Sequence, residues 1–167
     1  MNANLEIKGL LSREFLHDGE VKALAELLAG EISALDAYDL ALERIRNQEL
    51  RAKIREPRDS HALRIEQLKE RLAALGESPD NTGKTWSAIA RFVEGSAASI
   101  SDRIALSVLA AGEEFGLEQY KHHMNELDSD SYDLVESEIV PAQQKTLQTM
   151  SSICARLRFP VNKSEAN

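Results

Sequence analysis

Gly30-Glu31-Ile32-Ser33-Ala34-Leu35-Asp36-Ala37-Tyr38 is the stretch that decides the fold, because the chain contains it twice. Gly112-Glu113-Glu114-Phe115-Gly116-Leu117-Glu118-Gln119-Tyr120 lies 82 residues later and keeps the same frame: Gly-Glu, then Leu, an acid and Tyr. Leu28-Ala29 and Ala110-Ala111 extend the match upstream. A repeat of this kind predicts a helix pair present twice. It also sets a glutamate on the face that hydrophobic periodicity marks as buried.

Outward from the first copy, the residues Val21, Leu24, Leu28, Glu31, Leu35, Tyr38, Leu42 and Ile45 are spaced alternately by 3 and 4. That is the stripe of a bundle helix, predicted over residues 19–46 with Asp18 as its N-terminal cap. Glu31 is the polar member at its centre. Asn47-Gln48-Glu49 reads as a turn into a second helix over 49–75, with the stripe Leu50, Ile54, Pro57, His61, Ile65, Leu68, Leu72 and Leu75. Pro57 is expected to kink or break it, and Gly76 to cap its end. The second copy generates a third helix over 101–126, with Leu106, Ala110, Glu113, Leu117, Tyr120, Met124 and Leu127 inward. Asp128-Ser129-Asp130-Ser131 turns into a fourth helix over 131–157, with Val135, Ile139, Gln143, Leu147, Met150, Cys154 and Leu157 inward and a bend at Pro141.

The intervening residues 76–100 open with turn formers and then carry the amphipathic segment Trp86 to Glu94, a short helix in a long crossover. The expected organisation is an N-terminal arm over 1–18, a bundle over 19–157 built from helix pairs 19–75 and 101–157, and a polar tail over 158–167.

Composition narrows the function classes. The 167 residues carry a net charge of -8, which disfavours nucleic acid as a partner. No apolar run approaches the ~20 residues of a membrane span. The N-terminus lacks the basic and apolar regions of a secretory signal. One cysteine, Cys154, rules out an internal disulfide. Together these favour a cytoplasmic setting.

The chemistry candidates follow from the two glutamates. A buried carboxylate must be neutralised, paired or metal-bound. Folding the first pair about Asn47 sets Glu31 level with residue 64, within a turn of His61 and Arg64. The same fold of the second pair sets Glu113 near Gln143 and Thr146. One reading is a metal site of Glu31, His61 and Glu113 holding a single iron, manganese or zinc ion. The other is a polar layer in which Arg64, Gln143, Tyr38 and Tyr120 satisfy the carboxylates.

The doubled Gly-Glu-x-x-x-Leu-acid-x-Tyr pattern, His61 and the long crossover resemble the ferritin-like superfamily. More narrowly, Glu49-Leu50-Arg51 and Leu75-Gly76-Glu77-Ser78-Pro79 are similar to bacterial ferritin-like proteins of a domain-of-unknown-function family. The resemblance covers about residues 20–157. It implies an all-α, ferritin-like four-helix bundle. The di-iron pattern of such bundles has a Glu on each of two helices and Glu-x-x-His on each of the other two. Here Arg58 stands three residues before His61, Gln143 stands for the second histidine, and Val140 for its glutamate. These departures favour the polar layer and a non-catalytic binding or structural module that self-associates as a homo-oligomer, a dimer foremost, or binds a protein partner. The alternative is a metal-dependent iron or manganese oxidoreductase or iron-handling protein using Glu31, His61 and Glu113.

The remaining motifs are read structurally. Thr82-Gly83-Lys84-Thr85 lacks the strand and spacing of a phosphate loop. His122-His123 is a polar helix end favoured by the dipole. Cys154 is an inert core thiol, and Asp36 and Glu118 lie on a solvated face. A partner-binding reading would use Trp86, Phe92 and the N-terminal arm as an apolar contact surface.

Overall fold

The structure, a computed structural model, describes residues 3–78 and 101–158, with the backbone alone for residues 3–15 and 158. All described regular structure is helical. Helix α1 spans Ala3–Arg44, α2 Gln48–Ala74 and α3 Asp102–His123. A 3₁₀ turn, Met124–Glu126, follows α3. The fourth arm is α4, Ser129–Leu134, then a π-helical turn, Val135–Ile139, then α5, Val140–Arg158. The crossover helix expected around Trp86–Glu94, the Thr82–Thr85 motif, Phe92 and the polar tail lie outside the described residues.

Local chemistry sets most of the helix ends. The Asn47 side chain caps α2, accepting from the Glu49 and Leu50 N–H groups at 2.9 and 3.1 Å. Gly76, at φ +87°, closes α2 in the left-handed conformation, and the Glu77 N–H reaches back to the Leu72 carbonyl at 3.0 Å. Ser101 caps α3, and Asp128 caps α4 through the Ser131 N–H at 2.8 Å.

Two boundaries differ from expectation. Asp18 caps nothing, because α1 is continuous through it for 42 residues. Residues 3–18 contain no proline, and a glycine inside a helix costs only about 1 kcal/mol, so no stop signal is strong enough to end the helix there. Pro57 does not break α2 either; it is buried on the core face of an unbroken helix.

Pro141 acts upstream of itself. Its ring lacks an N–H and would meet the carbonyl four residues back in a regular helix. The helix widens to a π turn just before it, with the Val140 N–H bonded to the Val135 carbonyl. The extra residue rotates everything that follows by about 100°. Gln143, Thr146, Met150 and Ile153 are therefore the fully buried face of α5. Leu147, Cys154 and Leu157, expected inward, are half-buried at its flank.

Three sets of bonds fix the helix directions. Asp102, at the start of α3, accepts from the Arg46 and Asn47 N–H groups at the α1–α2 turn, at 3.2 and 3.1 Å. Arg71, in the last turn of α2, forks onto both oxygens of Asp128 at 2.8 Å each and donates to Ser131 at 2.6 Å. The crossover thus joins opposite ends of the bundle, the connectivity of ferritin-like folds. Tyr38 of α1 bonds Glu113 of α3, and Tyr120 of α3 bonds Glu31 of α1, so α1 and α3 run antiparallel.

The core has two apolar halves. One gathers Leu24, Leu28, Ile65, Leu68, Leu72, Val135 and Ile139; the other gathers Ile45, Ile54, Leu106, Leu109, Met150 and Ile153. Each buried side chain of this size contributes roughly 1.5–3 kcal/mol. Between the halves lies a polar layer. No helix among the described residues is long and apolar enough to cross a membrane.

The glycines of the repeat lend themselves to a test. A Cβ at Gly112 would meet nothing within 4 Å, whereas one at Gly116 would lie 2.9 Å from Gln143 Nε2. Gly112→Ala should stabilise the fold by about 0.5–1 kcal/mol through helix propensity alone. Gly116→Ala should fall short of that gain in urea denaturation; an equal gain would mean that Gln143 is not held in place.

Candidate functional site

Glu31, His61, Arg64, Glu113 and Gln143 come together at mid-bundle, each at most 3% exposed. One residue arrives from α1, two from α2, one from α3 and one from α5. His61 and Arg64 are three apart on α2 and therefore share a face.

The bonds form one connected network. His61 Nδ1 lies 2.7 Å from Glu31 Oε2, and His61 Nε2 lies 3.1 Å from Glu113 Oε1. Arg64 donates from Nε to Glu31 Oε2 at 3.0 Å, from Nη1 to Ser60 Oγ at 2.8 Å, and from Nη2 to Gln143 Oε1 at 2.8 Å. Gln143 Nε2 donates to the Glu113 backbone carbonyl and to Glu113 Oε2, both at 2.8 Å. Thr146 Oγ1 donates to the same Oε2 at 2.6 Å. Tyr120 donates to Glu31 Oε1 at 2.7 Å, and Tyr38 donates to Glu113 Oε1.

All four carboxylate oxygens therefore accept from protein donors. Among the described residues no buried side-chain polar atom lacks a partner. With His61 as imidazolium, Glu31 and Glu113 are balanced by His61 and Arg64, and the layer is neutral. This is the condition under which four ionised groups tolerate burial.

The electrostatics follow the geometry. Burial raises the Glu31 pKa, but the His61 hydrogen bond, the Arg64 charge and the Tyr120 bond outweigh it and hold the carboxyl below its usual range. Burial lowers the His61 pKa, but its bonds to Glu113 and Glu31 outweigh that, and the net shift is upward. Arg64 Nη2 stands 2.7 Å from His61 Nδ1 and works against that rise without reversing it. Tyr38 and Tyr120 are pushed well above the ordinary phenol range, by burial first and then by the negative charges they face. Both therefore stay protonated and donate.

The residues do not fit a di-iron centre. Arg58, where that pattern has a glutamate, turns outward and forks onto Asp39 at 2.8 and 3.1 Å. Gln143 turns N–H groups, not a ring lone pair, toward Glu113. Arg64, fully buried, supplies positive charge between Glu31 and Gln143. Glu31 and Glu113 approach opposite nitrogens of His61, so the three do not converge on one shared ring atom.

A groove of about 680 Å³ between α1 and α3 leads to this layer, lined by small residues such as Gly30, Ala34, Ala37 and Gly112. Asp36 and Glu118 are exposed, and Glu118 pairs with Lys121 at 2.7 Å. Cys154 is half-buried, with Sγ 3.5 Å from the Leu106 carbonyl. His123 departs from the expected polar helix end: it is buried between two carboxylates.

A second buried cluster was not anticipated from sequence. Glu20, 4% exposed, bonds Ser131 and lies 3.5 Å from Arg71. The available sign was its place in the run Glu20, Leu24, Leu27, Glu31, which steps by 4, 3 and 4.

A family model described as "Domain of unknown function (DUF2383)" matches residues 19–126. The chain belongs to this family. No curated protein matches it in sequence. Among solved structures, it resembles a two-domain protein from Anabaena variabilis containing DJ-1/ThiJ/PfpI-like and ferritin-like domains, at TM-score 0.66 and 19% identity over 88% of this chain. The chain spans 39% of that protein's length. It also resembles the DPS protein of Vibrio cholerae O1, a member of a broad superfamily of ferritin-like diiron-carboxylate proteins, at TM-score 0.58 and 18% identity, covering 86% of this chain and 89% of that one. The fold is ferritin-like.

The paired shifts give stability a defined pH profile. Stability from the His61 proton is fully present below its ordinary pKa of 6.5 and is lost as pH rises through the higher folded value. Stability from Glu31 is present above its ordinary 4.5 and is lost as pH falls through the lower folded value. Denaturation midpoints across pH should therefore form a plateau between these limits. His61→Gln should remove the alkaline decline; a decline of the same size in that variant would mean another group causes it.

Proposed function

We propose that this member of the family is a ferritin-like module in which an internal ion-pair layer stands where di-metal bundles hold cations. It acts by association, with copies of itself or with a protein partner, and not by redox catalysis at mid-bundle. The observation that carries this reading is Arg64. Its guanidinium is completely buried, bonded to Glu31 and Gln143, while every oxygen of Glu31 and Glu113 is already engaged. Two carboxylates need two positive charges; Arg64 supplies one, and a proton on His61, whose pKa is shifted upward, supplies the other on this reading.

The DPS neighbour belongs to a diiron-carboxylate superfamily by description, and the shared fold makes metal chemistry the natural rival. In that alternative, Glu31, His61 and Glu113 would hold iron or manganese. A divalent ion bound there would have to displace the His61 proton and compete with hydrogen bonds on each carboxylate. Self-association predicts a solution mass above the 18.5 kDa of one chain at high concentration, and a single-chain mass throughout would count against it.

The decisive comparison uses protein expressed with iron and manganese supplied. Glu31→Gln should destabilise by about 3–5 kcal/mol, the usual effect of unpairing a buried ion pair. Elemental analysis should give the same low iron and manganese content for wild type and variant. Stoichiometric iron or manganese in the wild type, stripped by Glu31→Gln, would establish the metal-dependent alternative.

A further inference from the structure

We propose that the C-terminal end of α3 carries a divalent transition-metal site formed by His122, His123 and Glu126, with Glu26 of α1 orienting His123. Neighbouring residues of a regular helix project about 100° apart. Here α3 ends at His123 and the chain tightens into the 3₁₀ turn Met124–Glu126. The His122 and His123 rings stand 5.0 Å apart, edge to face at 75°. Glu126 Oε1 meets His123 Nδ1 at 3.0 Å. One ligand atom from each of the three lies within 4.8 Å of the others, and this is the group of metal-ligating side chains among the described residues that meets this condition.

The burial of His123 is a separate observation. It is 5% exposed, and its second nitrogen, Nε2, faces Glu26 Oε2 at 3.3 Å. A carboxylate behind a ligating imidazole fixes the tautomer and raises the basicity of the other nitrogen. Nδ1 is then the ligand atom, on the same side as Glu126. An entering ion takes the place of the contact between Nδ1 and Glu126 Oε1. Ligand atoms around tetrahedral zinc are about 3.3 Å apart, since each lies ~2.0–2.1 Å from the metal. The Nδ1–Glu126 separation already suits this, and exposed His122 can turn its ring to close the set. Water fills the outward position.

Charge and ligand type agree. Glu26 and Glu126 together balance one divalent cation when both rings are neutral. The negative end of the α3 dipole favours the same cation. Two imidazoles and one carboxylate suit zinc, cobalt, nickel or copper(II); calcium and magnesium prefer oxygen alone. Lys22, 3.9 Å from Glu26 Oε1, approaches the oxygen that His123 does not use.

Calorimetric titration of chelator-treated full chain with zinc sulfate tests the site. Wild type should take up one zinc per chain. His122→Ala and Glu126→Gln change exposed residues, so both should retain native circular dichroism while binding more than 10-fold more weakly. Glu26→Gln should weaken binding about 10-fold, the lower end of the effect of losing a carboxylate behind a ligand. Glu118→Gln, an exposed change elsewhere on α3, should bind as wild type does. No zinc uptake by the wild type, or undiminished uptake by His122→Ala, would overturn the assignment.

Discussion

Cancellation of buried charge governs this molecule. Two carboxylates placed at the centre of a helical bundle destabilise it severely unless positive charge and hydrogen bonds meet them there. Glu31 and Glu113 are met by His61 and Arg64, and their remaining lone pairs by Tyr38, Tyr120, Gln143 and Thr146. The demand for complete partnering constrains all the long helices at once, because each contributes at least one member. It also fixes their relative direction. A tyrosine seven residues from each glutamate, about 10 Å along a helix, reaches the other half's glutamate only if α1 and α3 run antiparallel. The repeat in the sequence is thus a repeat of donor and acceptor across the bundle.

That arrangement separates two things that ferritin-like folds combine. The scaffold delivers inward carboxylates to mid-bundle, and in the di-iron pattern metal ions neutralise them. In this chain Arg64, on the histidine's own helix face, pairs with Glu31, and His61 stands between Glu31 and Glu113. Arg64, one turn beyond His61, is more consequential for the site than Arg58, one turn before it. Arg58 carries the visible departure from the pattern but spends its charge on Asp39 at the surface. The same fold can therefore keep its polar centre while exchanging the source of positive charge.

Much of this was legible in the residues. The alternating 3 and 4 spacing put Glu31 and Glu113 inward, and folding the first pair about Asn47 brought Arg64 and His61 level with Glu31. The long crossover followed from the separation of helices two and three, residues 76–100, which exceeds a tight helix–helix turn. What was hidden depended on departures from regular helix geometry. The π turn before Pro141 rotates α5, which brings Thr146 and Ile153 inward in place of Leu147 and Cys154. The cluster of His122, His123 and Glu126 depends instead on side-chain rotamers: their spacing already sets Glu126 on the face of both histidines, but sequence does not state that His123 turns inward between two carboxylates. The start of α1 was misplaced because Asp18 offers a good cap, yet nothing before it opposes a helix. Caps permit an end; they do not impose one.

Balanced charge in the layer requires His61 to be an imidazolium. Nitrogen-15 NMR of the His61 ring reads this directly. At pH 6 both ring nitrogens should carry protons, and the midpoint of deprotonation should lie above the ordinary histidine pKa of 6.5. A single neutral tautomer at pH 6 would leave the two buried carboxylates facing one cation, and would contradict the account.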